Sequence, residues 1–298
     1  MSVGGKKREI QNFEVAPKYV GLVSGKVIAV NPSAEEYAEM TGNDVKEEDK
    51  RFEYLGESKE GNTYLRVDFW LQETKERTRE SGDKVNELFK ITFFLENKKR
   101  ENKDATKTQY INTVGVTSWA DDPNHLPEWF RQRDYRVAYQ GEEEFYTFLR
   151  MWLSNLDYRD PDTTLELDWK KLMKGNIREI REQLTGEWAS EVVVMATITV
   201  KETEDGLKEY QKVYTGGFLA PYALKFFRTV DFTNPDNVVR LKNKKPRDLK
   251  SFEKFILDIT HGEYGCRDFY YLKEAIPYSS DMNFAASEKV ISDTDANY

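Results

Sequence analysis

The chain has 298 residues, 39% of them hydrophobic and 13% aromatic, enough to bury a core of ordinary size without disulfide or metal staples. Lys and Arg number 45 against 53 Asp and Glu, a formal net charge of -8, which excludes a domain that is basic overall but not local basic patches. A single cysteine, Cys266, excludes an internal disulfide framework; no apolar run reaches the roughly 20 residues that span a bilayer, and Met1 to Val15 lacks the apolar stretch of a secretory signal, so a cytoplasmic protein is expected, with no membrane partner.

In chain order, β-branched and small residues predict a strand over Tyr19–Asn31, stopped at Pro32, and a short helix over Ala34–Thr41, ended by Gly42. Period-two alternation follows. Leu65, Val67, Phe69 and Leu71 are predicted to face a core, with Tyr64, Arg66, Asp68 and Trp70 on the reverse; Phe89, Ile91, Phe93 and Leu95 are predicted inward, opposed by Lys90, Thr92 and Phe94. Gln109–Trp119 reads as one further strand, which makes the lysine-rich Asn97–Lys107 the loop of a long hairpin. After a turn over Asp121–Pro127 and a strand near Tyr135–Tyr139, the spacing of Phe145, Phe148, Leu149, Trp152, Leu153 and Leu156 predicts a helix, with Glu142, Glu143 and Glu144 at its favourable end. A second helix is expected over Leu167–Leu184. Val192–Val200 and Leu207–Tyr214, joined by a long turn with Asp205-Gly206, read as a hairpin, followed by a helix from Phe252 to Gly262 and a strand at Phe269–Leu272. This order gives an α+β protein, an antiparallel barrel-like β core with a helical insertion and a C-terminal helix. The expected divisions are a basic arm over 1–18, the first part of the β domain over 19–140, the insertion over 141–188, the remaining strands and helix over 189–280, and a weakly acidic tail over 281–298.

Catalytic motifs are hard to find. Gly21-x-x-x-Gly25-Lys26-Val27 is one residue short of a phosphate loop and has valine where a hydroxyl must hold magnesium. His261 and Cys266 lack the further ligands of a zinc site, and Asp157, Asp160, Asp162, Glu166 and Asp168 read as a solvated linker or, alternatively, as carboxylates for a metal-dependent nuclease. The reading is therefore non-catalytic, without cofactor or metal.

What remains is a basic and aromatic constellation. Binding single strands without sequence choice needs cations for phosphates and exposed rings for bases. Arg66, Lys90, Lys208 and Lys212 interleave with Trp70, Phe94, Tyr110, Tyr210 and Tyr214, while Lys98, Lys99, Arg100, Lys103 and Lys107 crowd one loop. A second basic run, Arg240 to Lys250, follows later. The alternative is that the rings lie under helices or a second sheet and the charge runs are only solvated.

Several stretches resemble the single-stranded DNA-binding proteins of tailed bacteriophages, crAss-like and related. They are KVIAVNP at Lys26–Pro32, VDFWL at Val67–Leu71, the run Phe89–Asn97, Tyr110–Asn112 leading to Gly115 and Trp119, GEEEF at Gly141–Phe145 with Phe148-Leu149, Gly175-Asn176, YQKVY at Tyr210–Tyr214, and GEYGC at Gly262–Cys266. The resemblance implies an OB-type fold and a role in coating and protecting single-stranded DNA during phage DNA replication, recombination and repair. It also implies cooperative self-association through a basic N-terminal arm (Lys6, Lys7, Arg8) and recruitment of replication proteins by the C-terminal tail. The tail here is less acidic than that pattern, and the zinc ligands of some relatives are missing. The rival expectation is a structural or virion-associated phage protein that binds no nucleic acid.

Overall fold

In the computed structural model, which describes residues 17–43, 45, 50–79, 81–152, 191–203, 206–213 and 275–278, the sheet turns on β1, Tyr19–Val30. The first half of β1 pairs with β11 (Val192–Thr203), from Gly21↔Ala196 to Gly25↔Val192; its second half pairs with β3 (Thr63–Glu73), from Gly25↔Glu73 to Val30↔Phe69. Gly25 belongs to both ladders, and a Cβ there would stand 2.8 Å from the carbonyl oxygen of Gln72, so glycine permits the close approach. Between Val27 and Ala29 the register slips, a β-bulge that leaves Ile28 exposed and bends the strand. β3 is followed by β6 (Leu88–Lys99) and β10 (Tyr139–Gln140) on one side, and β11 by β12 (Gly206–Val213) on the other. The order is β10-β6-β3-β1-β11-β12, antiparallel throughout; β2 (Leu55–Glu57) pairs with β3 and β13 (Ile276–Pro277) with the start of β1. The sheet curls until Cα atoms of β6 and β12 come within 8 Å, but no ladder joins these strands and the sheet is not closed.

Inside the curl lies the core. The alternation of β3 and β6 puts Leu65, Val67, Phe69, Leu71, Phe89, Ile91, Phe93 and Leu95 on one face, all buried. Helix α3 (Glu142–Trp152) lays Phe145, Phe148, Leu149 and Trp152 onto them, with Phe69 and Phe148 ring centroids 4.7 Å apart and Phe93 and Phe145 5.7 Å apart. Glu142, wholly buried at the start of α3, is gripped by Arg136 at 2.6 and 2.9 Å and accepts the Tyr139 N–H at 2.6 Å. At the far end of β3, a small hairpin of β4 (Arg77–Thr78) and β5 (Lys84–Val85) carries two more forked pairs, Arg77 on buried Glu73 and Arg79 on buried Glu87. The Tyr19 hydroxyl donates to Glu87 at 3.1 Å, and burial followed by the Glu87 charge pushes its pKa up to about 12.

Four readings are corrected. Gln109–Trp119 is not one strand: β7 (Thr108–Asn112) and β8 (Thr117–Ala120) are separated by a turn in which Asn112 Oδ1 accepts the N–H groups of Val114 and Val116 and Gly115 takes φ +72°. β7 also leaves the main sheet, joining β8 and β9 (Tyr135–Val137) in a separate three-stranded sheet, and no ladder joins β6 to β7, the isolated bridge Glu101↔Thr108 lying just beyond the end of β6. A short helix α2 (Glu128–Arg131) closes a second small core of Tyr110, Ala120, Leu126 and Phe130. Tyr110, expected outward, is thus buried. The turn before Leu207 is also shorter than expected, because β11 runs to Thr203 and pairs it with Gly206. The arm at Lys6–Arg8, the second helix of the insertion, the carboxylates Asp157–Asp168, Tyr214, the Arg240–Lys250 run, the elements over 252–272 with His261 and Cys266, and the tail lie outside the described residues. No helix among the described residues is long and apolar enough to cross a membrane.

Candidate nucleic-acid interface

The residues that alternate with the core on β3 and β6 form the outer face, in the cross-strand pairs Tyr64↔Glu96, Arg66↔Phe94, Asp68↔Thr92 and Trp70↔Lys90. Phe94 is the most open ring on this face, 41% exposed, its neighbour Tyr64 meeting it edge-on at 5.8 Å and 69°. Tyr64 in turn lies over Gly56 of β2, where a Cβ would come within 2.6 Å of its ring. Trp70 is half-buried. It is flanked by Tyr37, edge-on at 5.3 Å, and by the Lys90 Nζ 5.9 Å from its ring centroid. Tyr37 comes from α1 (Ala34–Thr41), where Ser33 and Glu36 form a reciprocal capping box, Gly42 ends the helix at φ +70°, and no residue is buried. The sequence placed Trp70 on the outer face but gave no sign that α1 would cover part of it.

Charge on this face is organised around Asp68, which lies on the outer face as alternation predicted but is buried there among its neighbours. Its carboxylate lies 3.3 Å from Arg66 Nε and 3.6 Å from Lys90 Nζ and accepts the Thr92 hydroxyl at 2.7 Å, while its backbone N–H donates to Asn31 Oδ1 at 2.5 Å. The Arg66 guanidinium stacks on Tyr54, 5.0 Å to the centroid, and donates to the Arg51 carbonyl. Such contacts hold both cations on the surface of the sheet.

The expected loop cations divide. Lys98 and Lys99 are the end of β6; Lys98 is paired with Glu60 at 2.6 Å and half-buried Arg100 donates to Gln140 at 2.8 Å. Lys103 and Lys107 stand on an exposed turn shaped by Asn102, whose Oδ1 accepts the Lys107 N–H at 2.7 Å, and by Ala105 at φ +53°. Lys99, Lys103 and Lys107 have no ion pair within 4 Å among the described residues. On β12, Lys208, Tyr210 and Lys212 share an exposed face, with Tyr210 42% exposed. Beneath them Gln211 accepts the Tyr19 N–H at 2.5 Å and donates to the Tyr19 carbonyl at 2.9 Å, and Glu209, its pKa lowered by hydrogen bonds from Tyr278 and Lys18, ties the strand to both neighbours.

No family model, curated protein or solved structure matches the chain. The site must be judged on its own geometry. Groups of three or more His, Cys, Asp or Glu placed to hold a metal are absent among the described residues. What the face offers is open and half-open rings beside cations on a rigid sheet. Three exposed aromatics were missed: Trp129, 57% exposed on α2, and Trp119 and Tyr135 on the small sheet. Only Trp129, next to buried Phe130 in a short polar stretch, carried a hint, since one turn of helix cannot bury two adjacent rings.

Proposed function

We propose that the protein binds single-stranded DNA without choosing sequence and without catalysis, using the outer face of β3 and β6 and the basic turn beyond it. The observation that carries this reading is the Phe94 and Trp70 pair on one face, interleaved with Arg66 and Lys90, with β6 running on into Lys98 and Lys99 and the turn beyond it carrying Lys103 and Lys107. Stacking on bases and neutralising phosphates are the two requirements of sequence-tolerant binding, and both are met on adjacent surface. The fold supports it. The strand order β6-β3-β1-β11-β12, a first strand shared by two ladders, a helix before the fourth of these strands, and the approach of β12 to β6 fit an OB-like barrel.

The role proposed is coating and protecting single strands during phage replication, recombination and repair in the host cytoplasm, as the resemblance implies. The basic arm and the tail are assigned to self-association and to replication proteins. Lys18, the last residue of the arm, accepts the Tyr278 N–H at 2.8 Å. A virion-associated role is the second reading, favoured by Trp129, whose surroundings carry both signs of charge and suit a protein partner. Titrating labelled oligo-dT with the full chain at low and moderate salt separates them: salt-sensitive saturation is expected for the first, and no binding at either salt is the result that selects the second.

A further inference from the structure

We infer that Asp68 divides the interface into two parts, a sheet face that holds bases almost independently of salt and a turn that supplies the salt-dependent grip on phosphates. The inference rests on the single-strand reading above. A cation contributes to salt dependence only when binding releases a counterion from it. Arg66 and Lys90 already have one, the Asp68 carboxylate at 3.3 and 3.6 Å. That carboxylate is 4% exposed and held by Thr92, so a phosphate that drew the cations away would leave a desolvated charge unpaired, a costly exchange. Glu96 adds a second negative charge on the same face, beside Tyr64 and bonded by Asn62 at 3.0 Å. Arg66 and Lys90 are thus matched one for one by Asp68 and Glu96, and between Tyr64 and Trp70 the face is formally neutral.

Lys99, Lys103 and Lys107 stand in contrast, exposed and without a carboxylate within 4 Å among the described residues. They hold mobile counterions and release them to phosphate. Asp68 is therefore a positioning residue. It fixes Lys90 against Trp70 and Arg66 against Tyr54, so the cations shape the stacking surface and do not compete for the backbone of the strand.

The test is the slope of log affinity against log salt for oligo-dT, measured on the full chain and three variants. Each phosphate contact on a single strand contributes about -0.7 to that slope. Lys103→Gln is expected to flatten it by about 0.7 and Lys90→Gln to leave it at the wild-type value even where affinity falls, because Lys90 has no counterion to release. Asp68→Asn, which frees one positive charge, is expected to steepen the slope by about 0.7. Equal flattening by Lys90→Gln and Lys103→Gln overturns the division, as does an unchanged slope in a folded Asp68→Asn protein. If Asp68→Asn fails to fold, the two lysine variants decide alone. A wild-type protein that does not bind oligo-dT removes the single-strand reading itself, a result distinct from binding with the wrong slopes.

Discussion

Phe93 and Phe94 are adjacent on β6 and face opposite ways, one 4% and the other 41% exposed, so a pair of alanine substitutions separates core from interface with the same chemical change. Phe93 packs on Phe69, Phe145 and Phe148, and its loss is expected to cost about 3 to 5 kcal/mol of stability, the usual range for a buried phenylalanine. Phe94 meets Tyr64 edge-on and is 41% exposed, so its loss should cost less, with the ring pair worth about 0.5 to 1.5 kcal/mol. Binding reverses the ranking. A stacked base is worth about 1 to 3 kcal/mol, so Phe94→Ala should weaken oligo-dT binding by about 5- to 150-fold. Urea melts give the stabilities and fluorescence anisotropy with labelled oligo-dT gives the affinities. Wild-type affinity in Phe94→Ala, or a stability loss matching that of Phe93→Ala, would refute the assignment of Phe94 to an open stacking face.

Gly141→Ala should be strongly destabilising in thermal melts, because φ is +87° and the new Cβ would stand 1.9 Å from the Phe94 carbonyl oxygen; a normal melt would mean the α3 junction can shift. Arg136→Met leaves the buried Glu142 carboxylate without its ion partner and should cost about 3 kcal/mol in urea melts, whereas Lys98→Ala, breaking an exposed pair, should cost less than about 1 kcal/mol. The Tyr19 hydroxyl titrates near 12 in the folded chain and an unfolded tyrosine near about 10, so its contribution is whole below about pH 10 and lost as pH rises toward 12. Wild type should lose stability more steeply than Tyr19→Phe across that window in melts at stepped pH, and parallel curves would contradict the burial argument.

Much of this arrangement is legible in the sequence where one period dominates. β3 and β6 alternate without a break, so their inward residues could be named one by one, and Glu142 to Trp152 reads as a helix because its apolar residues repeat at helical spacing behind three glutamates. The break after Asn112 was also written in the chain, as an asparagine and a glycine spaced for a turn, but the flanking β-branched residues masked it. Alternation misplaced Tyr110, and it gave Asp68 its face without showing that the side chain is buried. The first is buried because a second sheet and α2 cover its side, the second because Arg66, Lys90 and Thr92 make a buried carboxylate tolerable. Both depend on partners distant in sequence. Trp70 is the intermediate case: its face was readable, but its cover by Tyr37 from α1 was not.

Photo-cross-linking shows whether the outer face of β3 and β6 touches the single strand. Full-length protein is irradiated with oligo-dT carrying 5-iodouracil and the adducted residues are identified by mass spectrometry. Adducts at Phe94 and Trp70, competed away by unlabelled oligo-dT, are the result the account requires. Adducts confined to Trp129 and the small sheet, with none on β3 or β6, would contradict it.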